Sequence, residues 1–454
     1  MAGSGLTRRG VLRSGAGVVA AGTSALAAPM VHAQGTGGRL AVGFWDHWVP
    51  AGNDAMRAIV DDWAQKNRVD VQMDFITSVG NKLLLTIAAE AQARQGHDIM
   101  ALDTWRIFEY QRQLEPVDDV MGRLIGKYGP VNPPSEYLGK PGGRWHAVPA
   151  TVGSQYKGAA ARIDLLKQHA GIDPQAMYPA ETRLGPGADR WTWETFLVAA
   201  EKCNAAGYPF ALPAGTFPDA TDWIGSMFRC YGADLVDAKG EIIIRGNDRL
   251  KDVLDYAVRL FQHIPSEMFA ADDATNNRAL ISGKSALIFN PPSAWAVAKR
   301  DAQPVAEQVW HFPSPMGPRG HYVPYGPLFW GIWSFSRAKP TAKALLEHLS
   351  QREQVATMVA GTDGYDVPPF PGLTDLDTWS LVGPPRGTVF NYPVKPHHHA
   401  EPCMALSPAP PEIAVRMYQQ GIQAKMIARL VQNKEPVDRV LAWAEREVEG
   451  YRRG

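Results

Sequence analysis

The apolar positions of the chain fall into two alternating periods. Arg39 to Phe44 (RLAVGF) is a short apolar run of the kind a buried strand needs, and it ends in the aromatic cluster Trp45-Asp46-His47-Trp48. Asn53 then stands where a helix wants a cap, and Met56, Ile59, Val60 and Trp63 recur at i, i+3, i+4 and i+7, which lays one apolar stripe along that helix. Val69, Val71, Met73 and Phe75 alternate with Asp70, Gln72 and Asp74, the period of a strand with one buried face. A second helix is predicted from about Gly80 to Ala93, with Leu84, Ile87, Ala88 and Ala91 on one face, and His97 to Leu102 reads as another buried strand running into Asp103-Thr104-Trp105.

Strand, helix, strand, helix, strand is the alternation of a parallel sheet, and such sheets hold ligands beyond the carboxyl ends of their strands. The Pro/Gly-rich stretch Asn132 to Gly143 and Trp145 to Pro149 then mark an approach to a crossing into a second lobe. Helices dominate the middle of the chain: Trp191 to Asn204, opening on Thr192, and Asp248 to His263. A strand from Ser285 to Phe289 interrupts them and leads into Asn290-Pro291-Pro292. Helices resume with Pro340 to Gln351 and end with Pro411 to Leu430 and Pro436 to Tyr451. No internal repeat is visible.

The 454 residues, 45% hydrophobic and 20% charged, suit two domains or one large bilobal unit. Thr7-Arg8-Arg9-Gly10-Val11-Leu12-Arg13, the weakly apolar Gly15 to Ala28 and the small-residue site Val31-His32-Ala33 stand in the order of a twin-arginine export signal, so residues 1–33 are set apart from the fold and the protein is expected in the periplasm. Three of the 46 basic residues and none of the 46 acidic ones lie in that leader, which leaves the remainder slightly acidic and argues against nucleic acid as a partner. Cys203, Cys230 and Cys403 have no metal-type spacing; one disulfide, Cys203 with Cys230, stays open. His397-His398-His399 near Cys403 looks like a metal tract, but three consecutive histidines cannot all face one ion on regular backbone, and neither metal nor cofactor is expected.

Six segments together carry a family likeness: His97 to Val120, Arg144 to Ala150, Ala161 to Asp173, Trp191 to Cys203, Asn277 to Lys299 and Pro324 to Leu349. In this order they resemble the extracellular solute-binding proteins of ABC sugar importers, the maltose-binding-like group. The resemblance implies an α/β fold of two lobes joined by several hinge crossings, closing around a solute in the cleft, with no catalytic residues. It also implies an ABC permease as partner. The first lobe is expected to comprise residues 34–150 and 285–340, the second 151–284 and 341–454, in a monomer.

A sugar presents hydroxyl edges and a C–H face, so its site calls for aromatic platforms and bidentate polar groups. Trp45, Trp48 and Trp105 follow predicted strands, Trp223 lies in the second lobe, and Trp295 and Trp330 flank the return into the first; core burial is the default use of any one tryptophan, but as a group at strand ends they are the candidate platforms. Asp46, Asp103 and Asp222 each adjoin such a tryptophan, and Asp103 could instead cap the following helix. Gln155, Tyr156 and Asn290 follow expected crossings or strand ends. His47 and Tyr325 complete the set, with Asp363 in a stretch after a helix that could reach the cleft or form a turn.

The competing reading is an exported carbohydrate-processing enzyme that uses paired carboxylates, whose separation no sequence reveals. A metal or polyamine receptor would call for more acidic residues or ligand clusters than the chain displays.

Overall fold

The protein is described by a computed structural model covering residues 38–179, 184–381 and 401–453. Residues 1–33, where the sequence leads one to expect an export leader, and the His397 to His399 tract lie outside the described residues.

Strands β1 (Arg39–Trp45), β2 (Asp70–Ile76) and β3 (Ile99–Asp103) are parallel, with β1 between the other two. Their sequences differ for a physical reason. β1 and β3 are covered on both faces and are apolar apart from Arg39 at the start of β1 and Asp103 at the end of β3, whereas β2 forms the sheet edge and alternates. The helix Pro50–Asn67 begins on proline at its first turn, with no side-chain cap from the preceding Val49. Asn53 therefore does not cap it. Its Oδ1 accepts from the His47 N–H at 3.0 Å and its Nδ2 donates to Asp46 at 2.7 Å, which pins the turn after β1. Thr192 does cap Trp193–Ala205, its Oγ1 accepting from the Thr195 N–H at 3.3 Å.

The first sheet continues with two long antiparallel strands, β4 (Val148–Tyr156) and β8 (Tyr322–Ile332), in the order β2-β1-β3-β8-β4, and β9 (Glu401–Cys403) runs parallel to the start of β8. β8 carries Pro324 and Pro327, residues that lack the N–H a ladder uses, and its strand period is hidden by an unbroken apolar run. The register between β4 and β8 jumps from Ala150 opposite Leu328 to Gln155 opposite Gly326, so Pro327 faces a bulge and owes the partner strand no donor. Ser154 closes that bulge: its hydroxyl donates to the Ala150 carbonyl at 2.6 Å and accepts from the Leu328 N–H at 3.0 Å.

A second sheet, β6-β5-β7, is antiparallel and built from β5 (Ala159–Arg162), β6 (Leu287–Phe289) and β7 (Val309–Phe312). The pairing joins segments from both sides of the expected division of the chain: β6 and β7 share a sheet with β5, and the helices Lys339–Leu349 and Arg352–Gly361 pack on Pro50–Asn67. Hydrophobic period shows that a segment is a strand, yet the choice of partner rests on contacts distant in sequence. The chain passes from the first sheet to the second at Lys157-Gly158, returns between β7 and β8, and crosses again after β9 to the helices Pro411–Gln419, Ile422–Val431 and Val437–Arg453. The first crossing is tied to the sheet it leaves, since the Lys157 N–H donates to the Pro324 carbonyl at 2.9 Å. All three cysteines are buried free thiols, so Cys203 and Cys230 do not pair. Among the described residues no helix is long and apolar enough to cross a membrane.

Candidate functional site

The β4 bulge and the crossing shape a pocket. Gly153 sits in the left-handed region at φ +85° inside the bulge, where a Cβ would stand 2.7 Å from Leu328 and 3.1 Å from the Trp45 ring. With only a hydrogen there, the backbone approaches and Trp45 lies across it. Trp45 is fixed from behind by an edge-on contact with His47, ring centroids 4.8 Å apart, and the Tyr365 ring packs on His47 at 4.7 Å. His47 is itself held: Nδ1 accepts from the Val49 N–H at 2.8 Å, which leaves Nε2 to donate to the buried Asp366 carboxylate at 3.1 Å. Asp366 also accepts from the Gly153 N–H at 2.8 Å, so one carboxylate fastens the bulge and the aromatic stack.

Trp45, Trp48, Asp103, Gln155 and Tyr365 line the pocket from the first lobe. Asp219 and Asp222 from the helix Pro218–Tyr231 face them, together with Asp273, Asn277, Asn290 and Ser293. The open space, mouth included, is about 960 Å³.

Polar groups on the second-lobe side are pre-arranged. Lys157 is buried and its Nζ lies 2.7 Å from Asp222 and 2.8 Å from Asp219. Burial alone would lower its pKa, but the Asp219 and Asp222 carboxylates outweigh it and hold the ammonium well above its ordinary range. Burial raises the Asp222 carboxyl against the pull of Lys157, and the Tyr418 hydroxyl donates to it at 2.9 Å. The amide of Asn290 bonds to Asn277 and to the Ser293 hydroxyl, and the Asn277 amide meets the same hydroxyl at 3.2 Å. Across the pocket, Asp103 accepts from Arg106 Nε at 3.1 Å. It does not cap the next helix, Arg106–Tyr110, which has no side-chain cap.

Of the residues singled out from sequence, Trp45, Trp48, Asp103, Gln155, Asp222 and Asn290 meet at this pocket. The others lie elsewhere. His47 stands behind Trp45 as its support, and Asp46 accepts from Asn53 in the turn after β1. Trp330 is buried in the first-lobe core against Phe44. Trp105 is buried between Tyr137 and Tyr418. Trp223 stacks on Phe289 and donates to the Pro213 carbonyl at 2.6 Å. Tyr156 and Tyr325 pack on each other inside the first sheet, 4.7 Å between centroids. Trp295 is buried with Lys299 over its ring, and that lysine's ion pair with Asp363 at 2.7 Å takes up the acid expected at the cleft. Burial of a large ring is the commoner use of tryptophan, and a strand end does not say which way the ring turns. Tyr365 belongs to the stretch Asp363-Gly364-Tyr365 that the sequence offered for the cleft or a turn, and it lines the pocket, whereas Lys157, Asp219, Asp273 and Asn277 were not singled out in sequence. Of these four, Lys157 had a signal, since it directly follows Gln155-Tyr156 at the crossing. Among the described residues, no three His, Cys, Asp or Glu side chains form a metal-holding group.

The sequence profile of the bacterial extracellular solute-binding proteins matches residues 58–381. No curated protein sequence matches the chain. Among solved structures, the maltose-bound MalE3 of T. maritima superposes with a TM-score of 0.72 at 17% identity, over 91% of this chain and 99% of that one. An ABC transporter solute-binding protein of Thermotoga lettingae bound to α-D-tagatose gives 0.71 at 14% identity, covering 91% and 100%. A sugar transporter protein of Arthrobacter chlorophenolicus with laminaribiose gives 0.70 at 16% identity, covering 91% and 99%. At these identities the likeness is one of fold.

Proposed function

The chain belongs to the bacterial extracellular solute-binding proteins, and we propose that it captures a carbohydrate or similar polyhydroxylated solute in the pocket between its lobes and hands it to the permease of an ABC importer. Members of this family are receptors, so the paired-carboxylate enzyme falls away. The observation that carries the carbohydrate reading is the composition of the two walls: the rings of Trp45, Trp48 and Tyr365 on one side, carboxylates and amides fixed by buried partners on the other. Rings cover a sugar's C–H face, and carboxylates or amides accept and donate at its hydroxyl edge. The bound sugars of the neighbours point the same way.

In this reading the chain segments at 157–158, 313–321 and 404–410 act as hinges. The lobes are then the β2-β1-β3-β8-β4 sheet with its helices and the β6-β5-β7 sheet with its helices, in a monomer exported to the periplasm by the twin-arginine route. Purified protein incubated with a panel of sugars and polyols tests it. A solute that raises the melting temperature, binds with a calorimetric signal and is recovered chemically unchanged is the expected result. Turnover of the solute, or no response to any polyhydroxylated compound, defeats the proposal.

A further inference from the structure

The acids of the pocket outnumber its cations. Asp219 and Asp222 share the single ammonium of Lys157, and Asp103 is held by Arg106, which also pairs with Glu109. Among the described residues that leaves Asp273, in the turn before the helix Thr275–Ile281, without a cation of its own. Its Oδ1 is shut away from solvent and has no hydrogen-bond partner among the described residues. The charges around it are mostly of its own sign: Asp219 and Asp222 on the facing helix and Asp272 beside it, the last taken up by Arg278 at 2.8 Å, with Lys157 the one opposing charge. Burial first, then the Asp219 charge, pushes the Asp273 carboxyl up to about 7.

A carboxylate sheltered in this way is costly to keep ionised, and the cost is relieved by a cation more than by a neutral hydroxyl. A hydroxyl brings one donor and no charge, whereas an ammonium brings three donors and a full positive charge into a site where water screens poorly. Arginine or lysine could have filled the position from the protein side, and none among the described residues does.

We infer that the pocket takes a polyhydroxylated solute bearing an ammonium group, an amino sugar or amino polyol, with the ammonium against Asp273. The polyhydroxylated part rests on the function proposed above; the ammonium is the new element. Ionised Asp273 favours the cation, so preference for the aminated solute grows as pH rises through about 7.

Matched pairs separate the two claims: glucose with 6-amino-6-deoxyglucose, and sorbitol with 1-amino-1-deoxysorbitol, titrated calorimetrically into the full-length mature protein at pH 6 and pH 8. Alkylammonium groups resemble that of lysine and stay charged at both. At pH 8 the aminated member of at least one pair is expected to bind about tenfold or more tighter than its parent, with a smaller margin at pH 6. Asp273→Asn should bring the aminated member down to its parent, and the unliganded variant should melt no lower than wild type at pH 8, because it removes an uncompensated charge. Equal or tighter binding of the neutral members, or a preference that survives in Asp273→Asn, overturns the inference while leaving the carbohydrate reading in place. No binding by any of the four compounds overturns the inference, and the wider panel of sugars and polyols then decides the carbohydrate reading.

Discussion

Trp45 and Trp330 are the same residue type in the same sheet, yet they are placed for different work. Trp330→Ala leaves a hole in a closed core and should cost about 3–5 kcal/mol of stability, read from denaturant unfolding. Trp45→Ala removes a wall of the pocket instead. It should weaken solute binding about tenfold or more at a smaller stability cost, and a stability loss as large as that of Trp330→Ala would assign the ring to the core. Lys157 is a third case. Lys157→Met strips the only cation from two carboxylates, one of them fully buried, and should cost about 3–5 kcal/mol; a companion Asp222→Asn should restore part of it in a double-mutant cycle. Asp103, Gln155 and Asn290 were legible in the sequence because each follows a recognisable strand or crossing. Asp219 and Asp273 were not, since single acids beside a proline or in a turn look like ordinary surface residues. As a sequence the chain is accordingly too poor in clustered acids to suggest a cationic ligand, and only folding assembles the group.

The strand β4 decides the pocket at the level of elements, because its bulge sets the depth at which Trp45 and Gln155 sit. Gly153→Ala forces a Cβ into a left-handed position against Leu328 and should destabilise by about 1–2 kcal/mol or more, with a loss of solute affinity as Trp45 is displaced. Unchanged affinity in a folded variant would detach the bulge from the site. Farther from the pocket, His97 ties three elements of the first lobe together: Nδ1 lies 2.5 Å from Glu90 on the helix Lys82–Ala93 and Nε2 lies 3.0 Å from Asp74 on β2. Desolvation lowers its pKa, but Glu90 and Asp74 together raise it above the ordinary histidine value. A raised folded-state pKa contributes stability in full below about 6.5, the unfolded value, and loses it as pH climbs through the folded one. The melting temperature of wild type should therefore exceed that of His97→Gln by more at pH 5 than at pH 9; a gap independent of pH would show that packing alone is lost. Element types were largely readable: β1, β2, β3 and the long helices have clear periods. β8 was not read as a strand, because two prolines and an unbroken apolar run conceal its alternation.

Across the whole molecule, three crossings and a pocket lined from both lobes imply closure on binding. Small-angle scattering should show the radius of gyration fall when a solute that raises the melting temperature is added; an unchanged value would mean that the lobes do not move. Export is a separate matter of the first residues. Replacing Arg8 and Arg9 with lysine should strand the precursor in the cytoplasm, and normal periplasmic levels of that variant would refute the twin-arginine route.

Local order and family membership were determined by the sequence itself, because hydrophobic period, caps and turn residues act between neighbours and survive as pattern. Strand Arg39 to Phe44, the Thr192 cap and the six segments of family likeness are of this kind. Partner choice and ring orientation were decided only by the tertiary structure. β6 and β7 join β5 rather than the first sheet, Trp105 and Trp223 turn into cores, and Asp219, Asp222 and Asp273 gather around Lys157 from positions up to 116 residues apart in the chain. Such contacts depend on which surfaces exclude water together, a property of the assembled chain that no stretch of it carries alone.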